Sequence, residues 1–149
     1  MTEILFYHLE RRPLEAVLPT LLEKCLERGW KAVVQSGSSD RMEMIDGALW
    51  TYREESFMPH GTVLDGDPAE QPVYLTTGPD NPNEATVRFM VDGAEPPDLA
   101  GYQRAIFIFD GRDEEAVAKA RDHWKDARGH GHDVTYWQQN DAGRWERKA

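Results

Sequence analysis

Short runs of β-branched and aromatic residues alternate along this chain with stretches in which apolar residues recur every three or four positions. Residues 2–8, rich in Ile, Leu, Phe and Tyr, read as a strand. Leu14, Val17, Leu18, Leu21, Leu22, Cys25 and Leu26 then form one helical stripe. It predicts a helix over 13–28, with Pro13 suited to its first turn and Gly29 to its stop. Pro19 falls inside that window and predicts a kink or a later start. Residues 30–35 read as a second strand, and Ser38-Ser39-Asp40 as the cap of a helix ending near Trp50. Turn formers fill 59–72, around an Asp65-Gly66-Asp67 knot. Strands follow over 73–76 and 85–91, and the short turn sequence between them predicts an antiparallel hairpin. After the Pro96-Pro97 break come a strand over 104–109, a helix over 113–128 and a strand over 134–138, then a polar tail carrying Trp145.

Strands that alternate with helices favour right-handed crossovers and a parallel sheet covered on both faces. The expected fold is therefore a Rossmann-like three-layer α/β/α sandwich with a mostly parallel sheet. No linker, repeat or low-complexity segment divides residues 1–149, so one domain is expected.

Composition narrows the function. With 40% hydrophobic and 30% charged residues the chain is too apolar for disorder and too charged for a membrane protein. No apolar run approaches the roughly 20 residues that a membrane helix needs, and the N-terminus lacks a signal peptide's charge order, so a cytoplasmic location is expected. The lone Cys25 lies in the helical stripe and reads as a buried structural thiol. A net charge of -10 would on average repel a phosphate backbone, which predicts that any contact with DNA is indirect.

The usual nucleotide chemistry is missing. The turn after the first strand, His8-Leu9-Glu10-Arg11-Arg12-Pro13, has no glycine to admit a pyrophosphate, and no phosphate-loop motif occurs. Asp110, at a strand end, is where α/β enzymes place a catalytic carboxylate, with Asp113, Glu114 and Glu115 nearby as metal partners. The same acids also suit the first turn of the following helix, where the dipole favours them. His123, His130 and His132 fall within ten residues, yet His130-Gly131-His132 occupies a predicted turn. No metal site and no cofactor are expected there. His60 reads either as a hydrogen-bonded loop residue or as a direct binding residue.

On the helix over 113–128, Ala116, Ala120, His123 and Ala127 share one face, small enough to lie against a sheet. Val117, Arg121, Trp124, Lys125 and Arg128 form the stripe beside it. A tryptophan among three cations on so acidic a chain suggests a recognition surface. The plainer reading pairs those cations with Asp122, Asp126 and the helix C-terminus.

The block Ile45-Asp46-Gly47-Ala48-Leu49-Trp50, followed by Ser56-Phe57-Met58-Pro59-His60, matches no catalytic motif. It resembles the chi-subunit family of the bacterial DNA polymerase III clamp-loader assembly, in which Leu-Trp and, after a spacer, Ser-Phe-x-Pro-His stand here. Phe6-Tyr7, the strand Trp30-Lys31-Ala32-Val33-Val34 and the strand-Asp-helix unit over 106–124 occur in that family's order. The likeness covers most of the chain, is most specific over 45–60, and over 61–105 is one of pattern only. It implies the same sandwich, no catalytic activity and no cofactor. It also implies a pocket for the acidic, Pro-Phe-ending C-terminal tail of single-stranded-DNA-binding protein, and attachment to the polymerase through a small psi subunit.

Carried over by that likeness, the pocket would use Trp50 and Phe57 on one element and Arg121, Trp124 and Lys125 on the helix. Arg121 offers a planar fork for the terminal carboxylate. Lys125 and Arg128 would attract upstream aspartates, and the aromatics would enclose the terminal ring and proline. Asp110 departs from the family pattern, standing where an apolar residue can line the pocket. Two other readings stay open: an enzyme using Asp110 and the Asp65/Asp67 loop with a metal or nucleotide, and an unrelated protein-interaction adaptor.

Overall fold

The computed structural model describes residues 2–10, 14–50, 71–140 and 144–148, with Trp50 described by its backbone. The elements are β1 (Glu3–Leu9), α1 (Leu14–Glu27), β2 (Ala32–Gln35), α2 (Ser39–Trp50), β3 (Val73–Thr76), β4 (Val87–Val91), β5 (Arg104–Asp110), α3 (Glu114–Gly129), β6 (Asp133–Gln139) and β7 (Trp145–Arg147). They form one seven-stranded sheet in the order β3-β2-β4-β5-β1-β6-β7. Every neighbouring pair is parallel except β6 with β7.

Alternation along each strand sends side chains to two cores. Leu5, Leu9, Val34, Phe89, Ile106 and Ile108 pack with Leu14, Leu18 and Leu22 of α1 and Ile45 and Leu49 of α2. Ile4, Phe6, Val33, Met90 and Phe107 face the other way, onto Ala120 and Ala127 of α3. The three-layer α/β/α sandwich with a mostly parallel sheet is the architecture of this chain.

The expected hairpin between residues 73 and 91 is corrected. β2 lies between β3 and β4 and pairs parallel with both, from Ala32↔Val73 and Ala32↔Val87 onward. The chain returns by a crossover that contains no helix. Arg88 takes the place of one: fully buried on the α3 side of the sheet, it donates to the crossover carbonyls of Gly78 at 2.6 Å and Asp80 at 3.1 Å. It also donates to Gln35 Oε1 at 2.6 and 3.2 Å and to the Tyr102 hydroxyl at 3.0 Å. Every guanidinium nitrogen thus finds an acceptor, which is what makes a buried cation tolerable.

Two further expectations change. Pro19 does not mark a later start: α1 begins at Leu14 and runs 14 residues with Pro19 buried inside it, so apolar burial outweighs the one hydrogen bond its ring removes. Trp145, read as part of a polar tail, belongs to β7 and stands edge-on to Tyr7, with ring centroids 4.7 Å apart. Three residues are too few for alternation to show a strand. Cys25 is buried as expected, and burial raises its pKa.

Candidate functional site

α3 begins at Asp113, an extended residue whose carboxylate accepts from the Glu115 and Ala116 amides at 3.0 and 3.4 Å. The capping role expected of Asp113 is what the structure shows. The helix lies across β5, β1 and β6 with Ala120 and Ala127 inward. Val117 and Trp124 are half-buried at its flank, while Arg121, Lys125 and Arg128 are exposed or nearly so.

Trp124 is therefore a wedge rather than a displayed ring. It meets Phe6 edge-on at 5.6 Å and Tyr136 at 5.8 Å, and the Arg128 guanidinium stands 5.7 Å from its centroid. Neither Arg121 nor Lys125 forms an ion pair among the described residues. Asp126, the partner that the plainer reading assigns, instead faces His130, with Oδ1 3.6 Å from Nδ1. The other α3 lysine, Lys119, is engaged with Glu95 at 3.0 Å and the Gly93 carbonyl at 2.7 Å.

Beside this stripe the sheet contributes residues that the sequence pattern does not single out. The Tyr136 hydroxyl of β6 shares a hydrogen bond with His8 Nδ1 of β1 at 2.6 Å. Phe109 of β5 packs near both, at 5.1 Å from His8 and 6.0 Å from Tyr136. Burial raises the Tyr136 pKa and lowers that of His8, and the positive charge of Arg121 acts to lower both. The signal was available in part, since positions 4, 6 and 8 alternate with 5, 7 and 9. Their meeting with 136 required the β1–β6 pairing.

α2, whose last residue is Trp50, packs with α1 on the opposite face of the sheet from α3. The described residues bring Val117, Arg121, Trp124, Lys125 and Arg128 together on α3. Phe57, His60, Asp65 and Asp67 lie outside the described residues.

Where the chain leaves β1 for α1 on one face and β5 for α3 on the other, a crevice opens at the strand ends, the usual ligand position in doubly wound sheets. A cavity of about 480 Å³ occupies it, lined among others by Glu15, Arg41, Asp92, Asp110, Asp113 and Glu115. Two of its cations are already engaged: Arg41 bridges Glu15 at 2.9 Å and Asp92 at 3.1 Å, and Arg112 meets Asp110 at 3.3 Å. The Arg112 amide, donating to Asp110 at 2.9 Å, holds that carboxylate below its usual pKa. Asp110 is thereby a turn residue and a poor proton acceptor at neutral pH. Acid-lined walls disfavour a phosphate.

Among the described residues no group of three or more His, Cys, Asp or Glu side chains is disposed to hold a metal ion. His130 and His132 stack 6.3 Å apart in the α3–β6 turn, His130 Nδ1 lying 2.7 Å from the Asp126 carbonyl. No described helix is long and apolar enough to cross a membrane.

A doubly wound α/β protein with an acidic strand-end crevice and a cationic, aromatic helix face is the class these features define. The family model for the DNA polymerase III chi subunit, HolC, matches residues 1–135. A probable DNA polymerase III subunit chi from Rickettsia prowazekii is 30% identical over 109 residues, which span 73% of this chain and 66% of that relative. This chain belongs to the DNA polymerase III chi subunit family.

Proposed function

We propose that this protein is a non-catalytic accessory subunit of bacterial DNA polymerase III, receiving the acidic C-terminal tail of single-stranded-DNA-binding protein on α3 and so linking it to the clamp loader in the cytoplasm. The observation that carries this reading is a pair of cations without an ion-pair partner among the described residues, Arg121 and Lys125, beside a half-buried Trp124 on a protein of net charge -10. A guanidinium fork suits a terminal carboxylate, and an aromatic wall suits a terminal phenylalanine and proline. The acidic remainder of the surface repels nucleic acid, so DNA is reached only through the partner. Attachment through a psi-type subunit, as in the family, would use another surface.

The site so proposed consists of Val117, Arg121, Trp124, Lys125 and Arg128, with Tyr136 from the sheet. Trp50 and Phe57 join it on the family likeness alone. The test is titration with a fluorescent acidic peptide ending in Pro-Phe, free or amidated at its terminus. Binding in the micromolar range is expected for a short flexible ligand, corresponding to about -8 kcal/mol. Arg121→Ala and terminal amidation should each cost about 1–3 kcal/mol, and the two losses should not add. Equal binding of free and amidated peptide would sink the assignment. The rival enzyme reading, favoured only by the position of the crevice, predicts stabilisation by millimolar ATP with magnesium, and none is expected.

A further inference from the structure

His8, next to last in β1, and Tyr136, midway along β6, meet beside α3, and their geometry constrains where the hydroxyl hydrogen of Tyr136 goes. His8 Nδ1 is 2.6 Å from the Tyr136 oxygen. The other ring nitrogen, Nε2, is buried and has no hydrogen-bond partner among the described residues, although Glu10 Oε1 stands 3.4 Å away, within ion-pair distance. A carboxylate that close favours the proton on Nε2, leaving Nδ1 as an acceptor. The neutral ring therefore takes the Tyr136 hydrogen inward and leaves the phenol oxygen with lone pairs only toward the Arg121 side.

Protonation reverses this. An imidazolium donates from both nitrogens, so the Tyr136 oxygen becomes the acceptor and its own hydrogen turns away from His8. The groups around the ring oppose one another: burial and Arg121 of α3 favour the neutral form, Glu10 at the end of β1 and Asp110 of β5 the charged one. Phe109 closes the remaining side. Gly111 makes room for the ring, since a Cβ there would collide with His8 Nε2.

We propose that His8 is a positioning residue of the tail site, converting its own protonation into the direction of the Tyr136 hydroxyl, so that the site gains a second donor beside Arg121 when His8 is charged. The inference rests on the tail reading given above. An anionic terminus at Arg121 and Tyr136 would stabilise the imidazolium, and by linkage the affinity must then rise as pH falls.

Binding of the free-carboxylate Pro-Phe peptide, followed between about pH 5.5 and 8 where its own carboxylates stay ionised, tests this. The parent should bind about three- to tenfold tighter at the acid end, the larger figure corresponding to a tenfold rise in the proton affinity of His8 when the peptide is bound. His8→Gln should flatten that profile while retaining binding at pH 8, and Tyr136→Phe, which removes the hydroxyl that His8 directs, should abolish the gain at the acid end. Nitrogen chemical shifts of the His8 ring in the free protein supply a readout independent of peptide, and should show Nδ1 unprotonated at about pH 7.5. If Arg121→Ala weakens binding as expected but His8→Gln keeps the parent's pH profile, the positioning role is wrong and the tail site stands. If the parent does not bind, or Arg121→Ala binds like it, the tail reading itself fails and this inference with it. A proton on Nδ1 of the neutral ring overturns the inference whatever the peptide does.

Discussion

Replacing Arg88 by methionine tests whether one buried side chain holds the helix-free crossover to the sheet. Methionine fills the space of the aliphatic stem but removes the guanidinium and its contacts to Gly78, Asp80, Gln35 and Tyr102. The Gly78 and Asp80 carbonyls are at the surface crossover and can turn to water. Gln35 and Tyr102 cannot, being only 5% and 9% exposed. Two orphaned buried groups at about 1–3 kcal/mol each give about 2–6 kcal/mol. Relief from desolvating a charge that no carboxylate pairs among the described residues offsets part of this, as substitutions of buried ions by apolar residues show. A net loss of about 2–4 kcal/mol is expected, measured by urea denaturation followed through tryptophan fluorescence. Limited proteolysis should also cut first within 77–86. A variant within about 0.5 kcal/mol of the parent, with the crossover no more susceptible to cleavage, would refute the reasoning.

Gly111→Ala drives a methyl into His8 Nε2 and to 2.8 Å from the Leu9 carbonyl; a loss of about 1–3 kcal/mol is expected in thermal or chemical denaturation. Trp124→Ala and Trp50→Ala should each weaken tail-peptide binding by about 1–3 kcal/mol in the peptide titration; a Trp50→Ala variant that binds within about 0.5 kcal/mol of the parent would take that residue out of the site. Because the His8 pKa in the folded protein lies below its ordinary value of 6.5, the unfolded chain binds more protons. Its contribution to stability is therefore present above the unfolded pKa and lost as pH falls through the depressed one. The melting temperature of the parent should fall more than that of His8→Gln over that window, and parallel curves would contradict the assignment.

Much of this architecture was legible from local patterns. Alternating and helical periodicities located the main strands and all three described helices, because each buries one face and the pattern of burial is written in the residues themselves. Asp113 as a cap, Gly29 as a stop with φ +75° and Cys25 as a buried thiol follow from chemistry that needs only near neighbours. The family was legible too, in the Leu-Trp and Ser-Phe-Met-Pro-His block. What local pattern could not reach was strand order. Two strands joined by a turn sequence look like a hairpin, and only the insertion of β2 between β3 and β4 makes them parallel strands that never touch. The neighbours of α3 were hidden for the same reason: His8, Phe109 and Tyr136 come from strands more than 100 residues apart at their extremes, and meet because β1 lies between β5 and β6. Periodicity states which face a residue takes, but hydrogen bonding between distant strands decides whose face it shares.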